Sequence, residues 1–568
     1  MLGQNYYSYI PLLIKAMIVF IHLLGQIQML ESSSDRFELG SSLYAKCSGC
    51  SMSEFLASGN HPQYDVNPRT LQGKDVNRRM LFAAFESGIG KEGVAKFCEV
   101  FSMPFNISPD TCYSHEEILS QAFQEETSEQ LQKNCAEARK LAMLEEALDD
   151  DDDDDNVTIV DIPISFDGTW SKRGYTANHC IGFLISAATG KVLDFEVTSK
   201  VCQQCTQMKA KLDKAGFNDW YQDHICEGSH KGFSPSMEME CAKRLWGRSE
   251  NNYVRYKWMI CDGDSKSYNA IWSVYGACDT CHKYEAMEQS DKELIAWRNS
   301  QQHKTWEEDH LQGKAECKRV IKLDCIGHVQ KRHGKALYEY QSSSTKLSDD
   351  KPMKVRDGRL TEKAIEKLKK NYGKAVHNNV KRNIASSEKD RAVKKMQVEI
   401  EAGLYHCLKI SDQERHKYSP VNSWCKFKKG LPCPNKPHHL DGVFKEPLEK
   451  IYDRLSEPAL HIRCLPEYSQ NANESVNALA WNKCPKHKWH GRNRIVMAAS
   501  SAALHFSCGA TKKFDVMRKA EISPGKHSWK EARRRDRGRI LQAEHTAQEK
   551  HKQYRLVRRQ AKQREDFV

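Results

Sequence analysis

TIVDIPISFDGTWSKRGYTANHCIGFLISAATGKVLDFEVTS, residues 158–199, is the stretch on which the fold turns. Within it, 158–166, 179–187 and 191–199 are rich in β-branched and aromatic residues, and a Thr189-Gly190 turn joins the last two. Three successive strands with short connections form an antiparallel meander. Reading outward, a helical pattern at 234–250 precedes a strand at 254–261, a helix at 265–275 and a strand at 320–326. That order predicts an α/β core with an antiparallel start and a parallel continuation.

The flanks divide the rest of the 568 residues. Residues 40–148 read as a helical N-terminal region, and 149–156, with seven consecutive aspartates, as a self-repelling linker. The core's first part spans 157–328, followed by a basic helical insertion at 329–460, a core helix within 461–490 and a basic tail at 491–568. Residues 351–396 carry 15 Lys/Arg against 5 Asp/Glu, and 526–568 carry 14 against 6. A net charge of +12 suits a polyanionic partner, although each basic run taken alone is equally a solvated face.

Residues 1–39 are harder to place. The apolar run 9–30 holds Lys15 and His22, lacks a basic region ahead of it, and makes both a poor signal peptide and a marginal membrane span. Many of the 21 cysteines sit in short-spaced pairs beside histidines, a zinc pattern of a reducing compartment rather than a disulfide framework, while a lone one reads as an ordinary buried thiol. Cys202-x2-Cys205 and His224-x-Cys226, 18 residues apart, suit one tetrahedral Zn²⁺ used as a structural clip. Cys47-x2-Cys50 is half of such a module. Residues 277–318 hold Cys278, Cys281, His282, His303 and His310, which fits either a further metal site or an inserted segment without one.

Two acids follow strands. Asp167 leads into Gly168-Thr169-Trp170, and Asp262 into Gly263-Asp264. On neighbouring strands such carboxylates repel unless a cation lies between them, and hard oxygen ligands suit Mg²⁺ or Mn²⁺. The same residues also suit an Asp-Gly turn and, for Asp264, a helix N-cap.

Seven stretches in order, SFDGTWSKRGY (165–175), GKVLDFEVTSKVCQQC (190–205), SMEMECAKRL (236–245), CDGDSKSYNAI (261–271), DCIGHVQKRHG (324–334), SPVNSWCKFKKG (419–430) and YSQNANESVNALAWNKCPK (468–486), resemble the Mutator-like transposases of animals, within the wider DDE group. NRRMLFAAFESGIG (77–90) and FSMP (101–104) extend the likeness upstream. The resemblance implies an RNase H-like core interrupted by the helical insertion. It also implies that Asp167, Asp262 and Glu474 are catalytic ligands of Mg²⁺ or Mn²⁺, with Asp264 a weaker second acid. Cys325-x2-His328 resembles a short Cys/His signature of the family, open to metal binding or helix packing. Near Cys425, Tyr418 stands where relatives often place a cysteine, with His416 close by.

The implied activity is metal-dependent cleavage and strand transfer at transposon inverted-repeat ends, with target double-stranded DNA as second partner. The protein would act as a nuclear homo-oligomer on DNA, without a small-molecule substrate, and Lys331 and Arg332 would hold phosphates. The alternative is a catalytically inactive, domesticated zinc-containing nuclear DNA-binding protein.

Overall fold

The computed structural model describes residues 27–31, 42–47, 53–57, most of 68–146 and most of 158–548. The chain divides into two compact units. One comprises Met1–Leu131, Cys202–Asp223 and Val476–Val568, the other Gln132–Val201 and His224–Ser475.

The second unit is built on a five-stranded sheet: β1 (Val160–Trp170), β2 (His179–Ser186), β3 (Val192–Ser199), β4 (Val254–Cys261) and β5 (Ile321–Asp324). The spatial order is β3-β2-β1-β4-β5. β1–β2 and β2–β3 pair antiparallel, and β1–β4 and β4–β5 parallel. The meander and its parallel continuation therefore stand as expected. Gly190, at φ +67°, takes the left-handed conformation that the β2–β3 turn needs.

Helix α1 (Ser236–Gly247) covers one sheet face. Its Met237, Cys241, Leu245 and Trp246 are buried against Ile162, Ile164, Phe166 and Tyr256. Trp246 meets Phe166 and Tyr256 edge-on at 5.6 and 5.7 Å, and its indole N–H donates to the Tyr256 carbonyl at 3.1 Å.

One irregularity sets the sheet's alignment. Ile162 pairs with Tyr256 but Pro163 pairs with Trp258, so Lys257 is an extra residue in β4. Pro163 beside the bulge turns its carbonyl the other way, to the Ala187 N–H at the end of β2 at 3.0 Å. Lys257 turns its ammonium to the Cys317 carbonyl at 2.8 Å.

After β5 the chain enters the helical insertion: α4 (Ile326–Ser342), α5 (Glu362–Asn379), α6 (Ser386–Tyr405), α7 (Lys445–Leu455) and α8 (Pro458–Cys464). These share one core that includes Val329, Leu337, Leu368, Tyr372, Met396 and Phe444. The chain then reaches α9 (Asn471–Lys483).

In the first unit, helix Pro68–Glu86 brings Phe82 and Phe85 to Phe123, in the first half of the helix Pro109–Glu146, with ring centres 5.7 and 5.4 Å apart. Glu86 is held by Lys483 at 3.1 Å and by the Ser501 hydroxyl at 2.8 Å. The expected helical region from residue 40 opens instead on strands Ser42–Cys47 and Ser53–Ala57, paired antiparallel beside Ile27–Glu31. Helix begins only at Pro68; the apolar runs in SLYAKC and SEFLA are short and consecutive, with no helical spacing. The basic tail forms a helix over Lys526–Ala547. The aspartate run, Cys50 and most of the apolar start lie outside the described residues. No helix among the described residues is long and apolar enough to cross a membrane.

His333 in α4 is fully buried, stacked on Tyr372 at 4.3 Å and edge-on to Tyr452 at 4.7 Å. Burial pushes its pKa down to about 3, so the folded state keeps it neutral while the unfolded chain protonates near pH 6.5. Its stabilising contribution is complete above about pH 6.5 and is lost as pH falls from there towards 3. Between pH 7 and 5 the loss should be on the order of 2 kcal/mol by linkage. Urea unfolding at the two pH values should show it, and His333→Phe should reduce the difference.

Candidate functional site

Ser165 of β1 pairs with Ile260 of β4, and two positions further along each chain stand Asp167 and Asp262. The two acids thus leave the paired region at the same level, on strands about 4.8 Å apart. Asp167 does not end its strand, as the sequence suggested. β1 runs on to Trp170, because its pairing with β2 continues through Trp170 and Cys180 after β4 has turned away.

The third acid arrives on the first turn of α9. Gln470, just before that helix, donates its amide to the Phe166 carbonyl at 2.6 Å. Asn473 donates to the Phe183 carbonyl at 3.0 Å and accepts the Ser165 hydroxyl at 2.5 Å. Both amides are buried. They seat the start of α9 against the backbone that carries Asp167, so Glu474 is delivered to the sheet end that carries Asp167 and Asp262. Sequence reading missed both amides.

Cations crowd the acids. Lys331 of α4 reaches Glu474 at 2.8 Å, and His328 stands 3.6 Å from the same oxygen. The Lys331 hydrogen bond and charge, with His328 beside them, hold the Glu474 carboxyl below its usual range. His328 is itself pushed up to about 9, chiefly by its hydrogen bond with Cys325. Burial alone would raise the Cys325 thiol, but hydrogen bonds from His328 and from the Gln470 N–H leave it lowered. Cys325 and His328 thus pair with each other, and neither joins the Cys/His groups that cluster among the described residues.

Arg332, expected to bind phosphate, turns inward. It grips the fully buried Asp324 at 2.6 Å together with Arg463, also at 2.6 Å, and lies 3.9 Å from Asp262. Lys331, more than half exposed, is the more available cation.

A fourth carboxylate was not anticipated. Glu238 of α1 accepts from the Gly168 N–H and the Ser267 hydroxyl, and its pKa is raised to about 7 by burial and then by the Asp167 charge, with Asp262 adding to it. Its side chain lies where a Cβ on Gly168 would sit, 2.3 Å from the Glu238 Cγ, so the glycine after Asp167 is a steric requirement. SMEMEC offers Glu238 and Glu240 alike, and nothing local tells them apart. The three expected acids do not draw together as tightly as the soft-ligand groups, whose ligand atoms all lie within 4.8 Å. Asp264 lies outside the described residues.

Two such groups lie within the second unit among the described residues: Cys278, Cys281 and Cys317; and His406, His416 and Cys425. In the latter, the ligand missing beside His416 and Cys425 comes from His406, and the Ser419 hydroxyl lies 2.7 Å from the His406 ring.

The model of the Mutator-like transposase family matches residues 22–282 and 292–425. Asp167, Glu238 and Asp262 fall inside the matched span, and Glu474 lies beyond it. No curated protein and no solved structure matches the chain. With well over half of its length matched, and with the acids of its central sheet inside that span, the chain belongs to the Mutator-like transposase family.

Proposed function

We propose that the protein cleaves and joins DNA at transposon ends with an RNase H-like core in which Asp167, Asp262 and Glu474 are the metal-holding acids. Family membership makes DNA the partner and transposition the class of activity. The observation that carries the finer reading is the pair of buried amides, Gln470 and Asn473. They bring an acid from 307 positions along the chain to the strand of Asp167.

The donor set fits hard divalent cations. The raised pKa of Glu238 registers its burial and then the like charge of Asp167 and Asp262, which a cation would relieve. Mg²⁺ or Mn²⁺, when bound, supplies Lewis-acid activation of the attacking oxygen and stabilisation of the departing one. Asp167 and Asp262 hold the site from adjacent strands, and Glu474 closes it from α9. Lys331, released from Glu474, is placed to meet a phosphate. The basic insertion adds backbone affinity without sequence information. We assign the zinc-clip role to Cys202, Cys205, His224 and Cys226, and a nuclear location follows from the substrate.

Purified protein should nick DNA ends taken from the flanks of its own gene in Mg²⁺ or Mn²⁺. Asp167→Asn, Asp262→Asn and Glu474→Gln should each abolish nicking while leaving salt-sensitive binding intact. Full cleavage by Asp167→Asn would refute the assignment. A wild type that binds but never cuts would favour the inactive DNA-binding alternative. A second expectation concerns Asn473→Leu, which strands buried polar groups of β1 and β2. Urea denaturation should register a loss of about 1–3 kcal/mol.

A further inference from the structure

Residues 277–318 leave the sheet after β4 and its short following helix α2 (Lys266–Ile271), and return as β5. The excursion is closed at its base. Cys278 and Cys281 stand at its outgoing end, the latter within helix α3 (Asp279–Glu285), and Cys317 stands at its return. The Cys281 sulfur lies 3.4 Å from that of Cys278 and 3.5 Å from that of Cys317, and the Cys278 N–H donates to the Cys317 sulfur at 3.2 Å. Cys281 and Cys317 are buried, and Cys278 is half-buried.

These separations are far from a disulfide bond of about 2.05 Å. They approach the edge of about 3.8 Å that sulfurs span around a tetrahedral ion at about 2.3 Å. An amide donating to one of the sulfurs stabilises the thiolate form that a metal requires. Two histidines of the segment are engaged elsewhere: the His282 ring packs on Trp272 at 5.1 Å, and the His303 ring packs on Trp306 at 5.3 Å.

We infer that Cys278, Cys281 and Cys317 bind one thiophilic divalent ion of the zinc class, with a small exogenous ligand or water at the fourth position. The ion acts as a clasp. Closing the long excursion at its base removes the entropy of two free ends. It also seats β5 on β4, because Lys257 holds the Cys317 carbonyl and the Val320 N–H donates to the Trp272 carbonyl at 2.8 Å. Through β5 the clasp supports Asp324 and the start of α4, the helix that carries His328 and Lys331. Uptake displaces the thiol protons to water, so occupancy falls with acid.

The test is alkylation of the full-length zinc-loaded protein by iodoacetamide, read cysteine by cysteine by mass spectrometry, with and without a zinc chelator. Cys241, buried in the sheet core, serves as the reference. After chelation the rates at Cys278, Cys281 and Cys317 should rise together, by at least about tenfold relative to Cys241. Unchanged relative rates would overturn the proposal, and so would release by reductant alone, which would mean a disulfide. As a second measurement, Cys281→Ser should lower bound zinc by one equivalent per chain, whereas an unchanged zinc content would refute the site.

Discussion

A carboxamide at residue 470 holds a carbonyl at residue 166, and the organisation of the site follows from that bond and its partner at Asn473. Between the two ends the chain completes a sheet, builds a helical insertion with its own core and then returns. A buried amide forfeits its hydration, so it is tolerated only where its donors and acceptors are matched. Gln470 and Asn473 meet that condition on β1 and β2, and this fixes where α9 begins. Glu474 is then positioned by backbone hydrogen bonds, independently of its own side chain.

Charge explains the rest of the arrangement. Burial, and then the charges of Asp167 and Asp262, raise the cost of ionising Glu238, while Lys331 and His328 lower that of Glu474. The acids are therefore split between one pushed towards its neutral form and one held ionised by a neighbouring cation. Arg332 and Arg463 belong to a different system, since together they keep Asp324 ionised despite burial. That buried pair of ion contacts anchors α4 and α8 to the end of β5, and it accounts for an arginine that sequence alone would send to DNA.

The sheet was largely legible because its strands are short, apolar and bounded by turns; the limits of VRYKWMIC coincide with β4. The end of β1 was not, since FDGTW looks like a turn, and only the pairing of β2 alongside it keeps the chain extended to Trp170. Asp167 and Asp262 were legible as acids after strands. Glu474 needed the family resemblance, because a lone helix glutamate has no distinguishing neighbour. Gln470, Asn473, Glu238, Cys317 and His406 were beyond reach for a common reason. Each takes its meaning from partners that the fold brings from tens to hundreds of residues away.

The bulge at Lys257 shows how little chemistry this alignment rests on. Val160 stands beside Val254, but past the bulge Ile164 stands beside Met259, so β4 has gained one residue on β1. Without that gain, Cys261 would stand level with Asp167, and Asp262 would project from the opposite face. The excursions between strands can vary by dozens of residues and leave this relation intact, whereas a single residue inside β4 cannot be spared. The two acids stand level because β4 carries one residue more than β1 between the ends of their pairing.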